Sequence, residues 1–322
     1  MSWFGAEIDA PLVLTRAIHF AASALVAGGL TFRSIVAEPA LRNSVAGYAI
    51  VQSRLLQLIW TALAVTLATG FVWLTLETMS MANLASVEAV RSGAILTVVD
   101  ETQFGLVCEI RAALVLLLGT CLLLNRFVPS RWVALASGLA LVAAIAWTGH
   151  AGSTLGQLGN LHLSADVLHL GAASAWIGGL VGLLIVFAVG RRRSAFEWVP
   201  LQLNAVRRFS IVGIVSVAVL IASGIVNAWI LVGSFRALLV TNYGQLLLLK
   251  VAVFAIMVGF AAVNRLWLTP RLVLASKSET EKDRRALSAL TRNTLIEFAL
   301  ALAIFAMVGV LGTLHPAIHL MK

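Results

Sequence analysis

Residues 164–190 read SADVLHLGAASAWIGGLVGLLIVFAVG, an apolar stretch whose single charged side chain is Asp166. As a helix, this stretch is long enough to cross the roughly 30 Å of hydrocarbon in a bilayer. Seven other stretches share its character, at about residues 12–34, 52–76, 104–126, 132–150, 209–234, 243–268 and 293–314. Because none shows the alternating pattern of a membrane strand, the sequence predicts an all-α integral membrane protein with eight transmembrane helices.

The overall composition agrees with this class. The chain has 322 residues, of which 60% are hydrophobic and 11% are charged, and its mean hydropathy is +0.97. These values exclude an ordinary soluble domain. No stretch between the apolar segments is long enough for one, so residues 1–322 are expected to form a single membrane domain. The sequence has no phosphate-binding loop, dinucleotide fingerprint or Ser/His/Asp order, and no enzymatic activity is expected.

The positive charges are distributed unevenly along the chain. The formal net charge is +9, and Lys and Arg are concentrated in the first, third, fifth and seventh connections between the apolar segments. By the positive-inside rule those connections face the cytoplasm, so both termini are predicted to be external. This distribution accounts for the net charge without a nucleic-acid partner.

Several motifs occur twice, in the same order and with matched spacing. The pattern His19…Gly28-Gly29 recurs as His169…Gly178-Gly179. Further matches are Arg54…Gly70 with Arg208…Gly224, Thr102-Gln103-Phe104-Gly105 with Thr241-Asn242-Tyr243-Gly244, Arg111 with Lys250, and Asn125-Arg126 with Asn264-Arg265. The sequence therefore predicts two four-helix repeats, at about residues 10–152 and 160–322. Since four spans return the chain to its starting side, the repeats should be parallel and related by a pseudo-twofold axis along the membrane normal.

All the histidines fall at the predicted external ends of the spans. They are His19, His150, His162, His169, His315 and His319. Because an imidazole in hydrocarbon needs a partner, the pattern predicts a metal or haem site with the first five as ligands and His319 as an additional one. His319 shares a helix face with His315 only if the eighth helix continues through Pro316. A preference of histidine for the membrane interface is the alternative explanation.

Asp166 precedes His169 by three residues, so the two side chains lie on one face of a helix. Asp166 is a candidate ligand, or an acceptor that orients the imidazole. The alternative is a capping role at the start of the fifth helix, with Ser164 as its N-cap residue.

Sulfur atoms and intramembrane charges extend the candidate site. Imidazole suits copper, zinc, iron and nickel, and sulfur adds a preference for Cu(I). The sulfur candidates are Met79, Met81, Cys108 and Met307, although each also fits ordinary packing. Inside the spans, Arg16, Arg111 and Lys250 are expected to pair or to line a polar cavity, for example as Asp166 with Lys250 or Arg111. The alternative is that Arg16 and Arg111 extend to the external interface.

A larger set of motifs runs from the fourth connection to the last span. It comprises Thr148-Gly149-His150-Ala151, Asp166-x-x-His169, Trp176-Ile177-Gly178-Gly179, Arg207-Arg208-Phe209-Ser210, Ser223-Gly224-Ile225-Val226-Asn227-Ala228, Thr241-Asn242-Tyr243-Gly244, Lys250, and Asn264-Arg265 followed by Pro270. Over about residues 147–316 the chain resembles the CopD family of bacterial copper-resistance membrane proteins. The resemblance implies an eight-span inner-membrane protein of copper homeostasis, with His150, Asp166 and His169 as candidate copper-site residues and a periplasmic CopC-like protein as partner.

The preferred interpretation is copper transport from the periplasm toward the cytoplasm, with capture by the external histidines and methionines and a route inward between the two repeats. A haem-binding membrane redox protein is the alternative, in which His19 with His150, or His169 with His315, ligate haem b. A third hypothesis is a copper sensor or assembly factor that binds the ion without transporting it.

Overall fold

The computed structural model describes residues 2–3, 6–7, 9–41, 44–82, 88, 91–191, 195–275 and 281–320. Within these residues, eight helices are long and apolar enough to cross a membrane, which confirms the predicted number of spans. The first to eighth spans are Ala10–Leu41, Gly47–Ala82, Gln103–Leu123, Val128–Thr148, Gly156–Gly190, Trp198–Val232, Asn242–Leu272 and Arg285–Leu311.

Some of these spans are composite, and short elements connect them. The first span joins the α-helix Ala10–Thr31, the π-helix Phe32–Ala37 and the α-helix Glu38–Leu41. The fourth joins the α-helix Val128–Ala143 to the 3-10 helix Ala144–Thr148, and the seventh joins Asn242–Val263, the π-helix Asn264–Leu268 and Thr269–Ala275. The second, sixth and eighth spans belong to the helices Val45–Ala82, Ala195–Val232 and Glu281–Leu311. The connecting helices are Ala94–Glu101, His150–Ser153 and Phe235–Val240; Ala317–Leu320 follows the eighth span, and two-residue strands, Ser2–Trp3 and Ala6–Glu7, pair antiparallel.

The first and fifth spans form the centre of the bundle. In the most apolar window of each, 78% and 61% of the residues are buried, whereas the corresponding share in the seventh span is 6%. The two spans cross where Gly28 faces Gly178, and a Cβ atom on either glycine would overlap with backbone atoms of the other span. Such an approach requires residues without side chains. The two spans are therefore in direct backbone contact at this crossing.

The third and seventh spans begin in the same way. Thr102 caps the third span by accepting a hydrogen bond from the backbone N–H of Gly105 at 2.9 Å, and Thr241 caps the seventh by accepting one from Gly244 at 3.0 Å. Each glycine packs against carbonyl oxygens of the short helix before it, where a Cβ atom would overlap. The matched Thr-x-x-Gly motifs therefore start a helix in the same way in both halves of the chain.

The start of the fifth helix differs from the sequence prediction. The helix begins at Gly156, about two turns before Ser164. The left-handed φ of 70° at Gly156, which glycine adopts without strain, lets the chain turn into the helix there. Ser164 is therefore not the N-cap residue, and Asp166 lies in the helix interior rather than in a capping position.

The end of the eighth span decides the relation between the last two histidines. The helix ends at Leu311, and a separate short helix, Ala317–Leu320, follows after a turn. Pro316 has no N–H to continue a helix. His315 and His319 are therefore not on one continuous helix.

Candidate functional site

His19 of the first span is buried, and both of its ring nitrogens are engaged. Nδ1 lies 2.9 Å from the hydroxyl of Thr69, and Arg111 donates a hydrogen bond to Nε2. A guanidinium can only donate, so Nε2 accepts and Nδ1 carries the proton. The Thr69 hydroxyl accepts from Nδ1 and donates to the carbonyl of Val65 at 2.7 Å. This relay holds His19 as a neutral imidazole whose lone pair is already occupied.

Arg111 of the third span is directed into the protein. Besides His19, its guanidinium donates to the carbonyl of Leu141 at 2.7 Å and to the hydroxyl of Ser23 at 3.3 Å. Its side chain is buried. The alternative that Arg111 extends to the interface is therefore wrong, and so is its pairing with Asp166.

Arg16 is also buried, on the face of the first span next to His19. Its guanidinium carbon lies 5.2 Å from the ring centre of Trp73 and 5.8 Å from that of Phe20, and it interacts electrostatically with Glu77. Trp73 donates to Glu77 at 3.1 Å. Two aromatic rings and a carboxylate thus accommodate this charge.

His169 of the fifth span has a matching hydroxyl partner but a different environment at its second nitrogen. Nδ1 lies 3.0 Å from the hydroxyl of Ser223, which donates to the carbonyl of Val219 at 2.6 Å. The Ser223 oxygen therefore accepts from Nδ1–H, and the lone pair of His169 is on Nε2. Across the described ranges, Nε2 has no hydrogen-bond partner. The imidazole is oriented and deprotonated at the nitrogen that a metal could bind.

The hydroxyl partners were missed by sequence reasoning, although a signal was present. Thr69 precedes Gly70 and Ser223 precedes Gly224, and these glycines are a matched pair of the repeat. A Cβ atom on Gly70 would lie 3.4 Å from Cε1 of His19, and one on Gly224 would lie 3.6 Å from Cε1 of His169. In each half, the imidazole thus packs against a residue with a hydroxyl group and the glycine that follows it.

Asp166 lies one turn before His169, as predicted. Its Oδ1 accepts a hydrogen bond from the amide of Asn227 at 3.2 Å. Lys250 of the seventh span interacts electrostatically with both Asp166 and His169. Of the two pairings considered for Asp166, the structure places Lys250 near it. The sequence motifs include Asn227, but its contact with Asp166 was not predicted.

His150 and His162 extend this group toward the fourth connection. Nδ1 of His162 lies 2.9 Å from the hydroxyl of Thr154, which also donates to the backbone carbonyl of His150 at 3.0 Å. The two imidazoles interact electrostatically. The ring of His150 packs edge-on against Tyr243 at 6.3 Å, and Tyr243 interacts electrostatically with Asp166. His150, although it belongs to the first half of the chain, therefore packs against a residue of the seventh span in the second half.

The remaining candidates are more dispersed. His315 is exposed in the turn after the eighth span, and the side chain of His319 lies outside the described residues. Met81 is exposed, Met79, Cys108 and Met307 are half-buried, and Cys108 interacts electrostatically with Arg111 and Glu77. Over the described parts of the chain, no three or more His, Cys, Asp or Glu side chains are close enough to hold one metal ion. Among the described side chains, the imidazoles are therefore not gathered into the single pocket that was expected.

Comparison with known proteins identifies the family. The family model for copper resistance protein D matches residues 203–311, and that for the copper resistance protein D-like N-terminal domain matches residues 7–160. The chain is 32% identical over 222 residues to copper resistance protein D of Pseudomonas syringae pv. tomato, a match that covers 68% of this chain and 70% of that protein. The chain belongs to the copper resistance protein D family.

Other relatives of this copper resistance protein D family member have related names. The inner membrane protein YebZ of Escherichia coli K12 is 33% identical over 172 residues, which cover 53% of this chain and 55% of that protein. The copper transport protein CutJ of Bacillus subtilis is 31% identical over 238 residues, which cover 70% of this chain and 39% of that protein. These relatives are named for copper resistance, copper transport or the inner membrane, and none is named as an enzyme. No solved structure matches the chain.

The family matches also bear on the candidate site. The N-terminal model covers His19 and His150, and the copper resistance protein D model covers Ser223, Asn227 and Lys250. His162, Asp166 and His169 lie between the two matched segments. The resemblance inferred from the sequence motifs is confirmed, while the assignment of individual copper ligands stays a prediction.

Proposed function

We propose that this protein takes up copper on the periplasmic side of the bacterial inner membrane and carries it toward the cytoplasm. One observation carries the proposal: His169, one helical turn from Asp166, is oriented through Nδ1 by Ser223, while its Nε2 makes no hydrogen bond to a described residue. A neutral imidazole with a fixed ring and an available lone pair is a favourable ligand for copper.

The proposed path begins at the fourth connection. His162 and His150 receive the ion there and pass it to His169 and Asp166. The packing of His150 against Tyr243, which interacts electrostatically with Asp166, supports this order. Sequential transfer between neighbouring ligands agrees with the absence, over the described residues, of a closed group of three or more. The proposal includes the remaining candidates only as ligands in other conformations of the protein. They are His19, His315, Met79, Met81, Cys108, Met307 and His319.

Membrane orientation and symmetry are also part of the proposal. Lys and Arg are concentrated in the odd-numbered connections, which supports periplasmic termini. Support for two parallel repeats comes from the paired contacts of His19 with Thr69 and of His169 with Ser223, and from the mutual contact of Gly28 and Gly178. Such a contact between matched residues is expected near a pseudo-twofold axis. A periplasmic CopC-like protein is the proposed copper donor.

Two measurements on purified full-length protein test the proposal. Copper content by elemental analysis, combined with X-ray absorption, should show copper bound through imidazole in the wild type and its loss in His169→Ala. In the matched variant His19→Ala, the copper content should be unchanged. Copper retained in full by His169→Ala would refute the assigned ligand.

The same samples separate the alternatives. A Soret band would indicate haem and refute the copper proposal, and none is expected because both nitrogens of His19 are engaged and His315 is exposed in the turn after the eighth span. Proteoliposomes should accumulate copper with the wild type and not with His169→Ala. Copper binding without uptake would refute transport and favour a sensor or assembly factor.

A further inference from the structure

A cavity of about 450 Å³ lies within the second half of the chain, between the fifth, sixth, seventh and eighth spans. It begins at Trp176, about two turns along the fifth span from His169, and extends away from the histidines. Most of its lining is apolar, and its polar lining residues are Ser210, Asn264, Arg265, Thr269, Thr294 and Glu297. The polar groups are therefore at the end of the bundle opposite to His169.

Glu297 is the unusual member of this lining. Its side chain is 2% exposed, in the interior of the eighth span. Its Oε1 accepts a hydrogen bond from the amide of Asn264 at 2.6 Å, and Asn264 in turn accepts one from Asn293 at 3.0 Å. Over the described residues, no salt bridge joins Glu297 to a basic side chain. A carboxylate in such surroundings needs a bound cation or a proton.

The neighbouring groups favour a proton over a metal ion. The amide of Asn264 presents an N–H to Glu297, and an N–H is not a metal ligand. The hydroxyl of Thr294 donates to the carbonyl of Leu290 at 2.8 Å. Few oxygen atoms remain for a hard cation, which takes about six, and the lining contains no imidazole or thiolate for copper.

We propose that Glu297 is a proton-binding site that exchanges its proton through this cavity. The carboxyl is neutral in the conformation described here and ionises when water fills the cavity. Among the lining residues, Arg265 of the seventh span is the other charged group; its guanidinium donates to Ser210 of the sixth, and the lining residues of the fifth span are apolar. A role of this proton in driving copper transport rests on the proposed function, whereas the proton site itself does not.

Labelling with dicyclohexylcarbodiimide tests the proton site without copper. The reagent adds to protonated carboxyl groups in apolar surroundings, and peptide mass spectrometry locates the adduct. In the full-length protein, the peptide containing Glu297 should be labelled, and labelling should decrease as the pH is raised. Glu297→Gln should abolish this adduct, whereas Glu101→Gln, which changes an exposed carboxylate, should leave it intact.

A second variant keeps the test decisive if Glu297→Gln fails to fold. Asn264→Leu removes the donor that favours the ionised carboxylate, so its labelling of Glu297 should persist to higher pH than in the wild type. Absence of label on Glu297 in the wild type would overturn the proposal. Loss of the label on addition of sodium or copper at constant pH would also overturn it, because the site would then be a metal site. Neither result depends on whether the protein transports copper.

Discussion

Arg111 of the third span donates a hydrogen bond to Nε2 of His19 in the first span. Its guanidinium thus occupies the direction from which a metal ion would approach that imidazole. The residue at the matching position in the second half is Lys250, which makes no hydrogen bond to His169 within the described residues. The two halves, although their motifs match, therefore differ at the imidazole. His19 is closed, because its Nε2 accepts a hydrogen bond from Arg111, and His169 is open, because its Nε2 makes no hydrogen bond to a described residue.

Removing the guanidinium should open the closed site. In Arg111→Met, Nε2 of His19 becomes available, and we expect the protein to bind one additional copper ion. The matched variant Lys250→Met should bind no additional copper, because its histidine is already open. Arg111→Met should also lose about 1–3 kcal/mol of stability, since the carbonyl of Leu141 loses a buried donor. Elemental analysis of the folded variants gives the stoichiometry, and an unchanged copper content in Arg111→Met would contradict the interpretation.

The hydroxyl of Ser223, which binds Nδ1 of His169, should increase the affinity for copper. Ser223→Ala removes the acceptor that fixes the Nδ1–H tautomer, and we expect about a 10- to 100-fold loss of affinity. Thr69→Ala makes the equivalent change under His19 and should leave copper affinity unchanged. Competition with a chromophoric copper chelator measures both. Equal effects of the two substitutions would indicate that the two halves contribute equally to binding.

The crossing of the central spans should be intolerant of any side chain. Gly28→Ala and Gly178→Ala place a methyl group against backbone atoms of the opposite span, and overpacking of this kind costs about 1–3 kcal/mol. Gly213→Ala is a matched control, because a Cβ atom there meets nothing within 4 Å. Thermal unfolding in detergent should show lower midpoints for the two crossing variants than for Gly213→Ala. If all three midpoints agree, the close contact is not present in the protein as purified.

If both termini are periplasmic, the activity of a fused reporter enzyme should depend on where it is attached. An alkaline phosphatase fusion at the C-terminus should be active, because the enzyme matures outside the cytoplasm. A fusion in the seventh connection, after Arg271, should be inactive since that connection carries the clustered Lys and Arg residues. The reverse pattern of activity would invert the proposed direction of copper entry.

Hydropathy and motif spacing along the chain were sufficient to predict eight spans, the matched Thr102 and Thr241 motifs, and the family. These features are local: a span is recognised by its own apolar residues, and a cap by residues within one turn. The end of the eighth helix before Pro316 was left open by the sequence, and the start of the fifth at Gly156 was missed, because tertiary context decides where a helix stops.

Only the tertiary structure decided what each candidate side chain contacts. Arg111 and His19 are 92 positions apart, and Ser223 and His169 are 54 apart. No periodicity connects residues on different spans, so the sequence placed His19 and His169 in equivalent roles. The packing of the spans around the Gly28–Gly178 crossing directs a guanidinium to the first imidazole and leaves the second without such a donor, because hydrogen-bond partners depend on how helices meet rather than on the composition of each helix.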